Sequence, residues 1–585
     1  MSLKLPQFVG LVAALIAVTV AGVPGQSSSG PSAQAAEQRG QEAIRAGDMA
    51  RARAELEEAV RMAPRDAEAQ SALGWVLAQQ GELDAAATHL QAAIKLKPEF
   101  ADAHLTLAGV LGGQGKPVEA ESEARAAVQS APDKAEAHRI LGRILSQRSP
   151  DEAFTELKRA VELAPQRPDL QDDLGSLLAQ RRQLSEAGVA FEEAIRLRSN
   201  YEPAHFHLGV VRLQEQKLET ASSELEKAVE LAPQDPLPHY YLAKALAAQS
   251  KNPQALAELQ KTVELKPEWA EAQTELGLAC QRSGDTDCAV SAFTAAVKLR
   301  PQDAEIYNDL GLALVQKGDA ESSIPKFKMA VQLRPEDGTL PGNLAIAYMQ
   351  LANFDAAIAE LGTAIKLAPE NSTLHYNLGL AYKLKDQLDQ AIPEFQRAIA
   401  LEPELSDAHY TLGVLFWQRG EFDPATQELQ KAIQSQPNYA EAHYTLGTVY
   451  KQQGKLPEAE GELKEAIRLQ PDFAGAHTTL AAVLRQLGDA EGAAEEARAG
   501  AKITAASTNL QAATFATNSG KRMLNAGDLE GAISQFQAAI RSAPEYAPAH
   551  FQLGLALKQK GAKEEAQKEF QRAAELDPHL TRPGQ

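Results

Sequence analysis

The stretch AEAHYTLGTVYKQQGKLPEAEGELKEAIRLQPDF, residues 440–473, decides the fold. Small and apolar residues recur at helical spacing in both of its halves. The residues that we expect the two halves to bury are, in chain order, His443, Leu446, Gly447, Tyr450, Leu456, Ala459, Leu463, Ala466 and Ile467. Gly454 supplies a turn between the halves, and Pro471 ends the second half because proline cannot continue a helix. The stretch therefore predicts two antiparallel helices joined by a short turn.

Prolines show that this pattern repeats, with a step of 34 residues that is once 33. They stand at 64, 98, 132, 165, 233, 267, 301, 335, 369, 403, 437, 471, 544 and 578. Framing each unit so that this proline is its thirty-second residue gives about sixteen units from Ala33 to Leu580. Such periodicity overrides the usual relation between chain length and number of domains.

The eighth position of the unit is never larger than alanine, which indicates close packing between the two helices. Glycine occupies it at Gly74, Gly142, Gly209, Gly277, Gly311, Gly379, Gly413, Gly447 and Gly554. A glycine inside a helix costs roughly 0.5–1 kcal/mol relative to alanine, so only a close helix–helix contact would offset its repeated use.

Small residues at positions eight, twenty and twenty-seven, Leu at seven, an aromatic residue at eleven and Pro at thirty-two resemble the tetratricopeptide repeat. The resemblance implies an all-α fold, a right-handed α-solenoid superhelix of about sixteen tetratricopeptide helical hairpins. Where that family often has Trp, nine units have His. These are His104, His138, His205, His239, His375, His409, His443, His477 and His550.

The histidines raise the question of a metal or haem site. Units in a solenoid stack roughly 20 Å apart, since neighbouring helices lie 8–10 Å apart, whereas ligands of one metal lie about 2 Å from it. We therefore interpret the histidines as packing residues, each with one ring nitrogen hydrogen-bonded, and predict no metal and no cofactor.

The N-terminal region predicts export. Lys4 precedes an apolar run from Phe8 to Val23, which is shorter than the about twenty residues of a membrane-spanning helix. A signal peptide cleaved after Ala21 is the first interpretation, and an uncleaved membrane anchor is the second. Both predict a protein that is periplasmic, secreted or tethered to the outer face of the membrane.

The predicted organisation follows from these boundaries. It comprises a signal peptide or N-terminal membrane anchor (1–23), a flexible linker (24–32), repeats 1–14 (33–507), an insertion (508–512), repeats 15–16 (513–580) and a tail (581–585). The irregular unit 474–507 lacks the proline at 505, and with the insertion it predicts a longer helix, a change in curvature and the meeting of two sub-arrays near Thr508.

Charge and motifs exclude several functions. The formal net charge of −20 argues against nucleic acid as a partner, because binding to its backbone depends on Lys and Arg. The sequence contains no phosphate-binding loop, no nucleophile elbow, no H-E-x-x-H and no paired C-x-x-C motif. We predict that the protein is not an enzyme and has no catalytic residues.

Cys280 and Cys288 are the two cysteines of the chain, and they flank the predicted turn at Gly284. Residues placed in this way can face each other across an antiparallel hairpin. In an oxidising compartment a disulfide is one reading, and two buried thiols that act as small hydrophobic groups are the other.

The resemblance also implies where a partner would bind, since in this family positions two, five, nine, twelve and thirteen commonly face the ligand. Carried over to this chain, these positions give a strip of aromatic residues flanked by lysines. The strip consists of Tyr376, Tyr410, Tyr444, Trp417, Lys383 and Lys451, with Phe206 and Tyr240 extending the idea upstream and Phe551 isolated downstream. The alternative is that the rings pad the contact between adjacent repeats.

We predict a non-catalytic protein-interaction scaffold or adaptor that binds a protein or peptide in its concave groove, in cell-envelope assembly or secretion. The alternatives are a substrate-delivering regulatory subunit of a glycan-modifying enzyme and a structural spacer. The polar last helix predicts a monomer, with dimerisation through that end as the alternative.

Overall fold

The computed structural model describes residues 30–580, and it contains 31 α-helices and no strand within that range. The predicted signal peptide or anchor (1–23), most of the predicted linker (24–32) and the predicted tail (581–585) lie outside the described residues. The all-α prediction is confirmed. The chain divides into two compact units, residues 1–317 and 318–585.

Helices of the first unit follow one another through short turns. They are α1 (Pro31–Arg45), α2 (Met49–Met62), α3 (Ala67–Gln79), α4 (Leu83–Leu96), α5 (Ala101–Gly113), α6 (Pro117–Ser130), α7 (Ala135–Leu145), α8 (Pro150–Leu163), α9 (Pro168–Gln180), α10 (Leu184–Leu197), α11 (Glu202–Gln214), α12 (Leu218–Leu231), α13 (Pro236–Ala248), α14 (Asn252–Leu265), α15 (Ala270–Ser283), α16 (Thr286–Leu299) and α17 (Ala304–Gln316).

The second unit continues the alternation. Its helices are α18 (Ala320–Leu333), α19 (Thr339–Gln350), α20 (Phe354–Leu367), α21 (Ser372–Leu384), α22 (Leu388–Leu401), α23 (Ser406–Gln418), α24 (Phe422–Ser435), α25 (Ala440–Gln452), α26 (Leu456–Leu469), α27 (Ala474–Leu487), α28 (Ala490–Asn525), α29 (Leu529–Ser542), α30 (Ala547–Lys560) and α31 (Lys563–Leu576).

The pair α25 and α26 shows why the repeat folds. Gly454 turns the chain between them with φ +76, a left-handed conformation that glycine adopts without strain. A Cβ atom on Gly447 would lie 2.8 Å from the Cγ atom of Leu463, so only glycine allows the two helices to pack this closely. The close packing inferred from the eighth position is confirmed here.

The long helix α28 is the main departure from the repeat. It runs without a break for 36 residues through the predicted insertion, packing on α27 with its first part and on α29 with its last. The longer helix expected from the sequence is confirmed. The two compact units divide between Lys317 and Gly318, and α28 lies within the second unit. The change in curvature and the meeting of two sub-arrays near Thr508 stay predictions.

The long helix also carries a large exposed apolar side chain. Phe515 in α28 is 71% exposed. It holds the third position of its unit, and this position is fully buried at Ala442 and Ala476. In α28 no turn precedes Phe515.

Candidate partner-binding surface

Three successive first helices of the repeat carry the predicted aromatic strip. Tyr376 lies on α21, Tyr410 on α23 and Tyr444 on α25, and all three rings are partly exposed. Their 34-residue step places them at equivalent positions on helices of one compact unit. The strip is therefore a repeated feature of this unit.

Each ring also packs against another aromatic ring of its own repeat. The Tyr410 ring lies 4.9 Å from the Tyr439 ring, and the Tyr444 ring lies 4.7 Å from the Phe473 ring. The centroid of the Tyr376 ring lies 5.7 Å from that of Phe395 on α22. Each ring is thus supported by a second ring and remains partly open to solvent. Whether the strip binds a partner or pads the contact between repeats stays open.

Trp417 and the two lysines lie in the last turns of the same helices. The indole Nε1 of Trp417 donates a hydrogen bond to Oε1 of Gln452 in the next repeat, at 2.8 Å, which fixes the ring. Lys383 and Lys451 are partly buried. Burial lowers the pKa of the Lys383 ammonium group because it removes water from the charge. An anionic group placed beside it would restore part of that lost solvation.

The predicted extension of the strip to Phe206 and Tyr240 is wrong. Phe206 is 5% exposed and packs edge-on against Tyr241, with ring centroids 5.5 Å apart. Tyr240 is 8% exposed and lies 4.5 Å from the ring of Trp269. Large neighbouring rings therefore bury both side chains. Downstream, Phe551 is partly buried, and the centroid of its ring lies 5.7 Å from that of Phe570.

The nine histidines bridge three parts of the repeat. In each, Nε2 lies 2.8–3.2 Å from the carbonyl oxygen six residues earlier, and Nδ1 lies 2.5–2.7 Å from a glutamate oxygen on the second helix. The pairs are His104–Glu123, His138–Glu156, His205–Glu224, His239–Glu258, His375–Glu394, His409–Glu428, His443–Glu462, His477–Glu496 and His550–Glu569. The sequence predicted a packing role with one hydrogen-bonded ring nitrogen. In the structure both ring nitrogens have a partner, and the sequence analysis did not predict the contact with glutamate.

Two of these bridges show raised histidine pKa values. The hydrogen bond to Glu123 raises the pKa of His104, although burial opposes it. Burial lowers the pKa of His443, and the bonds to Glu462 and Pro437 outweigh it, so that the net shift is upward. The glutamate of a third bridge, Glu428, has a lowered pKa. Burial raises this pKa, but the hydrogen bonds to His409 and Lys431 outweigh burial. The three shifts thus favour the charged forms of His104, His443 and Glu428.

Glutamine takes the place of histidine in two other repeats. The side-chain amides of Gln70 and Gln273 each donate to the carbonyl oxygen of the preceding proline, Pro64 or Pro267, at 3.1 Å. The bond to this carbonyl is therefore a common feature of the turn between repeats, and the glutamate contact is added where the residue is histidine.

Cys280 lies at the end of α15 and Cys288 at the start of α16. Their sulfur atoms are 1.96 Å apart and their Cα atoms 5.7 Å apart, across the turn at Gly284. The structure thus brings the two cysteines together as a bonded pair. The state of the thiols in solution stays a prediction.

Within residues 30–580, no group of three or more His, Cys, Asp or Glu side chains is arranged to hold a metal ion. In the same range, no helix combines the length and the hydropathy needed to cross a membrane. The acidic residues Glu68, Asp102, Glu136, Glu271 and Glu441 lie in the first turns of their helices, where carboxylates favour the positive end of the helix dipole.

Helical hairpins that pack in sequence and present a strip of partly exposed rings define a helical repeat protein. A tetratricopeptide repeat model matches residues 38–104, 173–236, 276–338, 444–508 and 518–580. Further tetratricopeptide models match residues 345–386 and 415–454, 77–144, and 372–405. The chain belongs to the tetratricopeptide repeat family. It is therefore, in general terms, a protein-interaction scaffold.

Comparison with curated proteins finds no match. Among solved structures, the MamA protein is 30% identical, covers 29% of this chain and 93% of its own, and has a TM-score of 0.27. YrrB, described as a TPR protein with an unusual peptide-binding site, is 26% identical over 32% of this chain and 97% of its own, with a TM-score of 0.28.

PilF from Pseudomonas aeruginosa is 24% identical, covers 35% of this chain and 95% of its own, and has a TM-score of 0.33. All three likenesses are confined to a minor part of this chain. The family assignment therefore depends on the repeat models and not on these structures.

Proposed function

We propose that the protein is an adaptor that holds a protein or peptide partner against the aromatic strip of α21, α23 and α25. The observation that carries this proposal is the placement of Trp417 between Lys383 and Lys451 on helices that also carry three partly exposed tyrosines. Tyrosine and tryptophan are enriched where interfaces have binding hot spots, because they offer large contact areas at low entropic cost.

The chemistry of the strip favours a segment with both apolar and acidic side chains. The rings offer apolar area, and the partly buried ammonium group of Lys383 gains most from a carboxylate, since burial already lowers its pKa. The rigid hydrogen bond from Trp417 to Gln452 presents the indole without a further ordering cost. A partner segment that lies across the three helices would use all of these contacts.

We further propose that the adaptor acts outside the cytosol, in envelope assembly or secretion. The apolar run ending at Val23 supports export, and the pairing of Cys280 with Cys288 suits an oxidising compartment. Protease added to intact cells or spheroplasts should degrade the repeats. Full protection of the repeats until the inner membrane is lysed would rule export out.

Site-directed photocrosslinking tests partner binding. A benzoylphenylalanine placed at Trp417 or Tyr444 should give one discrete adduct in the envelope fraction. The same probe at Gln427, which is exposed on the second helix α24, serves as the matched control and should give none. Equal adducts at all three positions, or none at any, would refute the strip as a binding surface.

The adduct also separates the two other roles considered from the sequence. A partner that is itself a glycan-modifying enzyme would replace the assembly role by that of a substrate-delivering subunit. Absence of any adduct at Trp417 and Tyr444, together with a correctly folded protein, would favour a structural spacer.

A further inference from the structure

One face of helix α28 is open to solvent along most of the helix. Eight residues lie on it, since they are spaced three or four positions apart and an α-helix turns once in 3.6 residues. All eight are exposed, and they span about 38 Å at 1.5 Å per residue. These residues, called the α28 face below, are Ala497, Ala501, Thr504, Thr508, Gln511, Phe515, Asn518 and Arg522.

Neighbouring helices leave the α28 face uncovered. The first part of α28 packs on α27 and the last part on α29, and residues 501–512 between them include no buried residue. Phe515 is the most exposed of the large apolar side chains in residues 30–580, at 71%. A partner that covered its ring would gain free energy, because the contact removes apolar area from water.

The charge around this face is opposite in sign to that of the whole protein. Residues 497–527 contain no Asp or Glu, in a chain whose net charge is −20, and no other stretch of this length within residues 30–580 lacks an acidic residue. Lys464 on α26 is paired with a glutamate of its own helix. Within the described part of the chain, no such ion pair forms at the four basic residues of 497–527. These are Arg498, Lys502, Lys521 and Arg522.

A helix fits the α28 face better than an extended segment does. The main-chain groups of α28 already bond within the helix, so an extended segment laid along it would find no main-chain partner there. A helical segment satisfies its own main-chain groups and packs through side chains alone. A lipid surface is disfavoured, because Phe515 is the one large apolar residue of the face.

The basic side chains favour an acidic occupant. Arg498 and Lys502 lie near one end of the face, and Lys521 and Arg522 lie near the other. Two copies of the face would repel each other for the same reason. We propose that the α28 face docks an acidic helix of a partner protein, with an apolar side chain over Phe515 and carboxylates beside the basic residues at both ends.

The α28 face shares no residue with the aromatic strip, which lies on α21, α23 and α25. It is therefore a second interaction surface that goes beyond the adaptor function, and either proposal can fail without the other.

Titration of the full chain with a synthetic helical peptide tests the chemistry. The probe is a peptide of about four heptads with alanine at position a, leucine at d and glutamate at e and g, whose charges disfavour its own association. Fluorescence anisotropy at low ionic strength should show saturable binding with Kd on the order of 10 μM. The same peptide with glutamine in place of glutamate should bind at least about fivefold more weakly. No saturation, or equal binding of the two peptides, would overturn the proposal.

Substitutions test the place. Lys521→Glu together with Arg522→Glu should weaken binding of the acidic peptide at least about tenfold. Lys563→Glu together with Lys568→Glu on α31 is the matched control, because these exposed residues of the same compact unit undergo the same change of charge. This control should weaken binding less than about twofold. Equal losses in the two double variants would show that only net charge matters and would remove the site from α28.

Removal of the ring tests the apolar contact. Phe515→Ala should weaken binding of the acidic peptide about fivefold without lowering the unfolding midpoint, because the side chain is already largely in water. Undiminished binding would mean that the peptide does not cover Phe515, and the proposed docking would be wrong.

Two further measurements distinguish other occupants of the face. Sedimentation should show that the wild type and Phe515→Ala have the same oligomeric state, and vesicles of phosphatidylglycerol should bind neither protein. Self-association of the wild type that is lost in Phe515→Ala would assign the face to a second copy of the chain. Vesicle binding that is lost in the same variant would assign it to a membrane. Either result would overturn the acidic helix.

Discussion

The Nδ1 atom of His443 lies 2.6 Å from a carboxylate oxygen of Glu462, and its Nε2 atom lies 3.1 Å from the carbonyl oxygen of Pro437. The carbonyl can only accept, so Nε2 carries a proton. A further proton lies between Nδ1 and the carboxyl group, because two acceptors would otherwise face each other. This one side chain joins the turn before α25, α25 itself and α26.

Removal of the bridge should loosen its own repeat. We expect His443→Ala to lower the free energy of local opening by about 1–3 kcal/mol, since it leaves Glu462 and the Pro437 carbonyl without this partner. His443→Gln should recover part of the loss, because Gln70 and Gln273 make the same carbonyl bond. Amide hydrogen exchange of α25 and α26 measures both. Equal losses for the two variants would show that the carbonyl bond contributes nothing.

Stability should depend on pH in a defined direction. The pKa values of His104 and His443 are raised above 6.5 on folding, so their contribution is fully present below pH 6.5 and is lost as pH rises through the raised values. The pKa of Glu428 is lowered from 4.5, so its contribution is present above pH 4.5 and is lost as pH falls through the lowered value.

We therefore expect the urea midpoint to be highest between these two limits and to fall towards alkaline pH. The double variant His104→Gln with His443→Gln, which removes two of the titrating groups, should show a shallower alkaline fall. If the urea midpoint of the double variant falls as steeply with rising pH as that of the wild type, these two bridges do not cause the alkaline fall.

Two glycines of one hairpin should respond oppositely to alanine. In Gly447→Ala the new Cβ would lie 2.8 Å from Leu463, so we expect a loss of about 1–3 kcal/mol from overpacking. Gly461 on α26 has no atom within 4 Å of such a Cβ, so Gly461→Ala should gain about 0.5–1 kcal/mol from helix propensity. Denaturant unfolding compares them, and a gain for both would contradict the close contact.

Binding to the crosslinked partner should depend on the strip. Tyr410→Ala together with Trp417→Ala should weaken binding at least about tenfold without unfolding the chain, because both side chains offer apolar contact area. Trp417→Phe, which keeps most of that area, should have a smaller effect. A binding curve unchanged from wild type, with a lowered unfolding midpoint, would instead show that the rings only pad the repeats.

The cysteine pair has a direct chemical test. With Cys280 and Cys288 bonded across the turn at Gly284, alkylation of the unfolded protein without reductant should label neither residue, and alkylation after reduction should label both. Mass spectrometry reads the result. Two labels without reductant would establish free thiols.

The sequence was sufficient for the helices and their packing, because the 34-residue period repeats the same apolar spacing and the same small residue at the eighth position. It also indicated the long helix α28 through the missing proline at position 505. These features are local or periodic, so residue spacing alone determines them.

Side-chain surroundings were harder to predict. Phe206 and Tyr240 resemble Tyr376 in position, but Tyr241 and Trp269 cover them, and those rings come from outside the predicted groove positions. The glutamate partners of the histidines could have been found, since most lie nineteen residues after the histidine.

The uninterrupted helix α28 has a mechanical consequence. Elsewhere in the second unit, a turn between consecutive helices allows adjoining hairpins to tilt by small changes of backbone angle. In α28 such a tilt would have to stretch or break main-chain hydrogen bonds along a rod of about 54 Å. A force that tilts α27 would therefore tilt α29 as well, because α28 resists bending between them.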